Sequence, residues 1–273
     1  MKNMISNTTL QIDIKTSGGS DFVSTFTSYV PDGEEKNRPA VIIFSGGAYK
    51  VVSQYECAPT ARKYAERGCV AFTVSYSCMP ATFPQSLCEG MWVVKYVREH
   101  ADEYGIDPNN VTAMGFSAGG HLVAAMGTLW NLPELSEYWG NDRRIYRPDK
   151  MVLCYPVISN KGDYHKESFR NLLGGNGVKN QKLFSLMCME ENVTADTPPT
   201  FIWHGAADDC VRADGSLRFV SALLECGVHV EFHLYPFANH GGGLNLGQYH
   251  GDWSDKAEIF IKDTRINLCN RND

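Results

Sequence analysis

No two cysteines in this chain stand at C-x-x-C spacing. The nine present are scattered singly, at Cys57, Cys69, Cys78, Cys88, Cys154, Cys188, Cys210, Cys226 and Cys269. That pattern excludes a zinc ribbon and a thioredoxin-type centre, and an odd number of unclustered thiols favours reduced, mostly buried side chains over a disulfide framework. Positive charge is not in excess either. With 25 Lys and Arg against 31 Asp and Glu the formal net charge is −6, and the basic residues are dispersed, so nothing draws the chain to nucleic acid or to an anionic membrane. No apolar run reaches the roughly 20 residues needed to cross a bilayer. The first residues, MKNMISNTTLQIDIK, lack the apolar core of a secretory signal, which sets the expectation of a cytoplasmic protein. Repeats, low-complexity tracts and flexible linkers are missing too. The expected organisation is therefore one domain over all 273 residues, long enough to bury a sizeable core.

What is present is an alternation of short apolar runs and helix-forming segments. Residues 10–15 and 23–30 alternate as two antiparallel strands would, followed by a polar loop from Pro31 to Pro39. From residue 40 the runs at 41–44, 69–75, 111–114, 151–155, 200–204 and 229–235 suit strands buried on both faces. Helical segments are expected at 59–67, 84–103, 118–130, 215–225 and 252–262. This order implies an α/β fold, a mostly parallel central sheet covered by helices on both faces. Two stretches interrupt it. Residues 132–150 read as surface loop, and 159–199, with Gly174-Gly175-Asn176-Gly177 in its middle, is a long insertion whose expected role is a small partial lid.

The chemistry centres on Gly115-Phe116-Ser117-Ala118-Gly119, between a short strand and a helix. A tight strand-to-helix turn forces its central side chain into strained, exposed geometry, and small residues two before and two after avoid the resulting clashes. A serine hydroxyl is a weak nucleophile near neutral pH, so it needs a base, and the base needs an orienting group. Asp208, in His204-Gly205-Ala206-Ala207-Asp208, and His240, in Asn239-His240-Gly241-Gly242, each follow an expected strand. Catalytic groups gather at that carboxyl edge of a parallel sheet. Acyl transfer also needs donors for an oxyanion; Ser45-Gly46-Gly47-Ala48-Tyr49, directly after residues 41–44, offers the backbone N–H groups of Gly47 and Ala48, joined by that of Ala118.

Several residues compete for these roles. Asp209 rivals Asp208, while Asp214 reads as a helix N-cap. His121, four residues after Ser117, reads as structural, and His204 as a brace for the acid loop. His229 and His233 alternate on one strand without an evident carboxylate or cysteine partner, so no metal is expected. Arg212 reads as a surface cation. Glu56 is placed at the start of a helix, with no chemistry assigned.

Taken together, SGGAY, VTAMGFSAGGHLVA, VTADTPPTFIWHGAADDCV and VHVEFHLYPFANHGGGL resemble the α/β-hydrolase superfamily, within it the esterase and lipase branch that includes acetyl xylan esterases and other carbohydrate acetyl esterases. The resemblance runs over about residues 39–265. It implies Ser117 as nucleophile, His240 as general base and acid, Asp208 as orienting acid, and Gly47, Ala48 and Ala118 as oxyanion donors. Ser45 departs from the pattern where relatives carry His or Pro, Ala48 where a third Gly is usual, and Arg212 where a Pro is usual. The implied activity is hydrolysis of short acyl esters, foremost acetyl esters of sugars or xylo-oligosaccharides, without a cofactor. Tyr49, Trp92, Trp130, Tyr138 and Trp139 are candidates for a sugar-stacking face. The same triad order occurs in serine peptidases of the prolyl-oligopeptidase type and in arylformamidases, and a non-catalytic binding protein of this fold is the remaining alternative. The partner is a small-molecule ester; the oligomeric state stays open, a homodimer included.

Overall fold

The structure, a computed structural model, describes residues 5–139, 143–244 and 253–268. Eight strands form one sheet: β1 (Ile5–Gln11), β2 (Thr25–Pro31), β3 (Arg38–Phe44), β4 (Val70–Ser75), β5 (Ile106–Phe116), β6 (Lys150–Cys154), β7 (Thr200–Gly205) and β8 (Val230–Tyr235). Their order across the sheet is β1-β2-β4-β3-β5-β6-β7-β8. The first two pairings are antiparallel; from β4 to β8 every neighbour is parallel. The expected architecture is present.

Side-chain alternation along the central strands divides the core. Ala40, Ile42 and Phe44 of β3 join one cluster while Val41 and Ile43 join the other, all fully buried. The first face carries α2 (Gln85–Glu99), α4 (Ala118–Thr128) and α7 (Asp214–Glu225), and the second carries α1 (Gln54–Glu66) and α8 (Trp253–Lys262). Two short helices, α3 (Ala101–Tyr104) and α9 (Arg265–Leu268), and the insertion's α5 (Lys166–Gly177) and α6 (Gln181–Leu186) are the other α-helices among the described residues. No helix among the described residues is long and apolar enough to cross a membrane.

The sequence misplaces several boundaries. The first strand pairs over Ile5–Gln11 rather than 10–15, because Leu10, Ile12 and Ile14 alternate into the core whereas the edge strand itself is mostly exposed and shows no pattern. Helix α1 begins at Gln54, with Pro59 inside it. Proline lacks the N–H that would bond to the Tyr55 carbonyl, and Tyr55 is exposed, so water can satisfy that group. The helix expected at 84–103 breaks at His100 into α2 and α3. The segment 159–199, expected as a long insertion with no element assigned, contains α5, interrupted at Gly174 (φ 66°), and α6. The last helix is described from Trp253; residue 252, where it was expected to start, and Cys269 lie outside the described residues.

Candidate active site

Ser117 stands between β5 and α4 with φ 51° and ψ −117°, a backbone conformation costly for any side chain. The turn is as tight as its glycines imply. A Cβ at Gly115 would meet the Gly119 carbonyl oxygen at 2.2 Å, and one at Gly119 would meet those of Phe44 and Ser45 at 2.2 and 2.5 Å. The serine turn is thereby pressed against the end of β3. The Ser117 N–H is spent on the Cys154 carbonyl, at 3.0 Å.

Three loops bring the polar groups together. His240 Nε2 lies 2.9 Å from Ser117 Oγ, and His240 Nδ1 lies 2.7 Å from Asp208 Oδ2. Ionised Asp208 only accepts, so Nδ1 carries the proton and Nε2 is left to accept from the serine hydroxyl. The other carboxylate oxygen, Oδ1, accepts from the N–H groups of Val211 (2.8 Å) and Cys210 (3.1 Å). His204 Nε2 donates to the Val211 carbonyl at 2.8 Å and reaches to 3.3 Å from Asp208 Oδ2, while its Nδ1 pairs with Ser216 Oγ at 2.8 Å. Burial alone would raise the Asp208 carboxyl. The hydrogen bonds from His204 and His240, the His240 charge and the Val211 N–H outweigh it and hold the group well below the usual carboxylate range. Asp209, its rival, is exposed and makes none of these contacts.

The loop after β3 is an unusual run of left-handed backbone: Gly47 at φ 127°, Ala48 at 55° and Tyr49 at 56°. A Cβ at Gly46 would come within 3.0 Å of the Ser117 Cβ, so the loop lies directly against the serine. The Gly46 N–H is committed to Glu56 Oε2 at 2.8 Å. Among the described residues no acceptor takes the N–H groups of Gly47, Ala48 or Ala118. These are free donors beside Ser117.

Glu56 is the polar residue whose place the sequence did not reveal. It is 7% exposed, and besides Gly46 its Oε2 accepts from Ser45 Oγ at 2.8 Å, while Oε1 accepts from the Tyr155 hydroxyl at 2.7 Å. Tyr155, itself at φ 37°, accepts from the Gly243 N–H at 3.1 Å and packs its ring on His240 at 5.0 Å. One buried carboxylate therefore fastens the donor loop to the histidine loop. An acid in the first turn of a helix is an ordinary sequence feature, and this one gave no further signal.

The remaining candidates fall into place around this centre. His121 is buried and bridges the Tyr49 hydroxyl (2.9 Å) and the Met187 carbonyl (3.0 Å), and burial pushes it down to about 4. His165, from the insertion, is half-buried and pairs with Ser168 Oγ at 2.9 Å; burial and the nearby charge of His240 both lower it. Asp214 is the first residue of α7 rather than its N-cap, which is Ala213, and it pairs with Arg218 at 2.9 Å and Arg212 at 3.6 Å. Arg212 is exposed. His233 does have a carboxylate partner, Glu231 at 2.6 Å, and the described residues contain no cluster able to hold a metal. The expected aromatic platform is absent. Tyr49, Trp130 and Trp139 are buried, Trp92 packs on Phe26 and Tyr96, and Tyr138 packs on Trp139. Burial pushes the Cys57 thiol up to about 12 and Cys188 up to about 11, away from thiolate chemistry.

Residues 27–223, more than half of the chain, match the BD-FAE family model, a span that includes Ser117 and Asp208 and ends before His240. An endo-1,4-beta-xylanase B of Butyrivibrio fibrisolvens is 29% identical over an alignment of 242 residues that covers 85% of this chain and 37% of that protein. An acetylxylan esterase of Xylanibacter ruminicola is 30% identical over 236 residues, 84% of this chain and 45% of that protein. The chain thus spans less than half the length of either curated relative. A crystal structure of an acetyl ester-xyloside bifunctional hydrolase from Caldicellulosiruptor lactoaceticus is similar with a TM-score of 0.82 and 32% identity over 93% of each chain. With an eight-stranded, mostly parallel sheet and a match over most of its length, this chain belongs to the BD-FAE family and has the α/β-hydrolase fold.

Proposed function

We propose that the protein is a serine carboxylic-ester hydrolase that removes short acyl groups, foremost acetyl, from the hydroxyls of sugars or xylo-oligosaccharides. The observation that carries the reading is the relay from Ser117 through His240 to Asp208, with hydrogen bonds of 2.9 and 2.7 Å, set beside the unoccupied N–H groups of Gly47, Ala48 and Ala118. Similarity to an acetylxylan esterase and to an acetyl ester-xyloside hydrolase supports the choice of acyl group and alcohol.

In this mechanism Ser117 Oγ attacks the ester carbonyl as His240 Nε2 takes its proton. Asp208 stays ionised throughout and stabilises the imidazolium formed. The carbonyl oxygen, now negative, is held by the three N–H groups, a type of contact worth about 3 to 4 kcal/mol per donor at the transition state. Protonated His240 then gives its proton to the departing alcohol oxygen. Water, deprotonated by His240, attacks the acyl-serine and regenerates the hydroxyl.

A panel of acetyl to dodecanoyl p-nitrophenyl esters and acetylated xylo-oligosaccharides, with Ser117→Ala as control, tests this reading. Acetyl esters are expected to turn over fastest, and Ser117→Ala to lose both turnover and labelling by a fluorophosphonate. A preference for octanoyl or longer esters refutes the acyl specificity, and undiminished turnover by Ser117→Ala refutes the mechanism.

A further inference from the structure

The three left-handed residues of the donor loop need holding, because Ala48 and Tyr49 carry side chains and each costs about 1 to 2 kcal/mol in that conformation. Peptide planarity identifies what does the holding. Each N–H shares a rigid plane with the preceding carbonyl, so pinning that carbonyl aims the N–H. The Gly46 carbonyl accepts from the Ser53 N–H at 3.0 Å, which aims the N–H of Gly47. The Gly47 carbonyl accepts from Lys50 (2.9 Å) and Val51 (3.2 Å), which aims that of Ala48. These ties lie within the loop.

The next plane is pinned from elsewhere. The Ala48 carbonyl accepts from Asn171 Nδ2 at 2.8 Å, and Asn171 sits on α5, within the insertion at 159–199. The Tyr49 side chain is pinned by the same segment through an intermediary. Its hydroxyl bonds His121 Nδ1 at 2.9 Å, and His121 Nε2 bonds the Met187 carbonyl, just beyond α6, at 3.0 Å. With the planes on both sides of Ala48 fixed, neither its φ nor its ψ can relax toward the right-handed region. Both of these ties lead to the insertion, while the Tyr49 carbonyl is held separately by the Met79 N–H at 2.8 Å.

We infer that the insertion is an external brace of the oxyanion loop at Ala48 and Tyr49, beside the Glu56 hold on Ser45 and Gly46, with Asn171 as a positioning residue that acts through the Ala48 carbonyl and the Tyr49–His121–Met187 chain as a second, independent tie. This inference rests on the esterase reading above. It gives the segment expected to be a lid a role in the chemistry rather than only in covering it.

The test uses the whole chain with p-nitrophenyl acetate as substrate and a small alkylboronic acid as probe. The boronic acid forms a tetrahedral adduct on serine and directs an oxygen at the donor loop. Asn171→Ala removes one tie, Tyr49→Phe removes the other while keeping the ring, and Arg170→Ala alters an exposed neighbour on α5 as a control. Each of the first two variants is expected to lose about tenfold in kcat/KM and to weaken boronic acid binding by the same factor, with a cooperative melt retained; Arg170→Ala is expected to match wild type. Should Asn171→Ala fail to fold, Tyr49→Phe decides. The inference is overturned if both folded variants stay within twofold of wild type in both measurements, or if kcat/KM falls while boronic acid affinity does not. A wild-type protein without Ser117-dependent esterase activity removes the esterase reading and this inference with it. An active wild type with unaffected variants removes the inference alone.

Discussion

Mild acid should weaken this fold through one buried imidazole. His121 is 1% exposed, and its two nitrogens bond the Tyr49 hydroxyl and the Met187 carbonyl. The carbonyl can only accept, so Nε2 carries the proton and Nδ1 accepts from Tyr49; a second proton would destroy that bond and place a charge in the core. Burial therefore lowers the group to about 4 in the folded state, against about 6.5 when the chain is unfolded. The folded value is the depressed one, so the unfolded state binds the extra proton first. Stability from this source is complete above pH 6.5 and is lost as pH falls toward 4. Integration over that window gives a loss of about 2 kcal/mol by pH 5 and about 3 kcal/mol by pH 4. Urea unfolding of wild type and His121→Gln at pH 7 and pH 5 separates this effect from every other titrating group, because the others are common to both proteins. The variant will be less stable at pH 7, having lost its bonds. What matters is the slope: wild type should lose about 2 kcal/mol more than the variant between the two pH values. Parallel losses within about 0.5 kcal/mol would refute the reasoning.

Two other perturbations follow from the geometry. Glu56→Gln replaces an oxygen that accepts from Ser45, Gly46 or Tyr155 with an amide that donates, so donor faces donor on one side; unfolding free energy should drop by about 1 to 3 kcal/mol and kcat/KM by about tenfold or more, read by urea titration and acetyl-ester kinetics, and unchanged values in both would remove the hub role. Asp208→Asn keeps the side-chain shape but loses the ionised acceptor that fixes the His240 tautomer. It should cost about 10³- to 10⁴-fold in kcat with the fold intact by circular dichroism, and a loss below about tenfold would contradict an orienting role.

What the sequence disclosed and what it hid divide along physical lines. The buried strands were legible because burial on both faces demands an unbroken apolar run, as in residues 41–44 of β3, where every side chain is fully buried. The meeting of Ser117, Asp208 and His240 was legible because only a few residue types can carry that chemistry and each follows a strand of one parallel sheet. Strand β1 was hidden because an exposed edge imposes no alternation. Helix α5 of the insertion was hidden by its own glycines: Gly174 breaks it with a left-handed turn, and the run Gly174-Gly175-Asn176-Gly177 reads as loop. The aromatic residues misled for a simpler reason. A tryptophan's type says that it buries area, not whether a sugar or the core supplies the partner, and Trp130 and Trp139 found the core.

Glu56 has a bearing on how the protein comes to life during synthesis. Its carboxylate is completed by Tyr155, 99 residues later, and Tyr155 in turn by Gly243, 88 residues beyond that. A ribosome-bound chain that has emerged only through β6 must hide or hydrate this acid with the Gly243 loop still unmade. The tyrosine that caps this carboxylate is itself fastened in the same event that delivers His240 to Ser117, 123 residues away in the chain. On the proposed function, ester hydrolysis is then a late signal of maturation. Nascent or truncated forms that stop short of the histidine loop carry Ser117 and the N–H groups beside it, yet have neither His240 nor the last tie on the tyrosine that caps the Glu56 carboxylate.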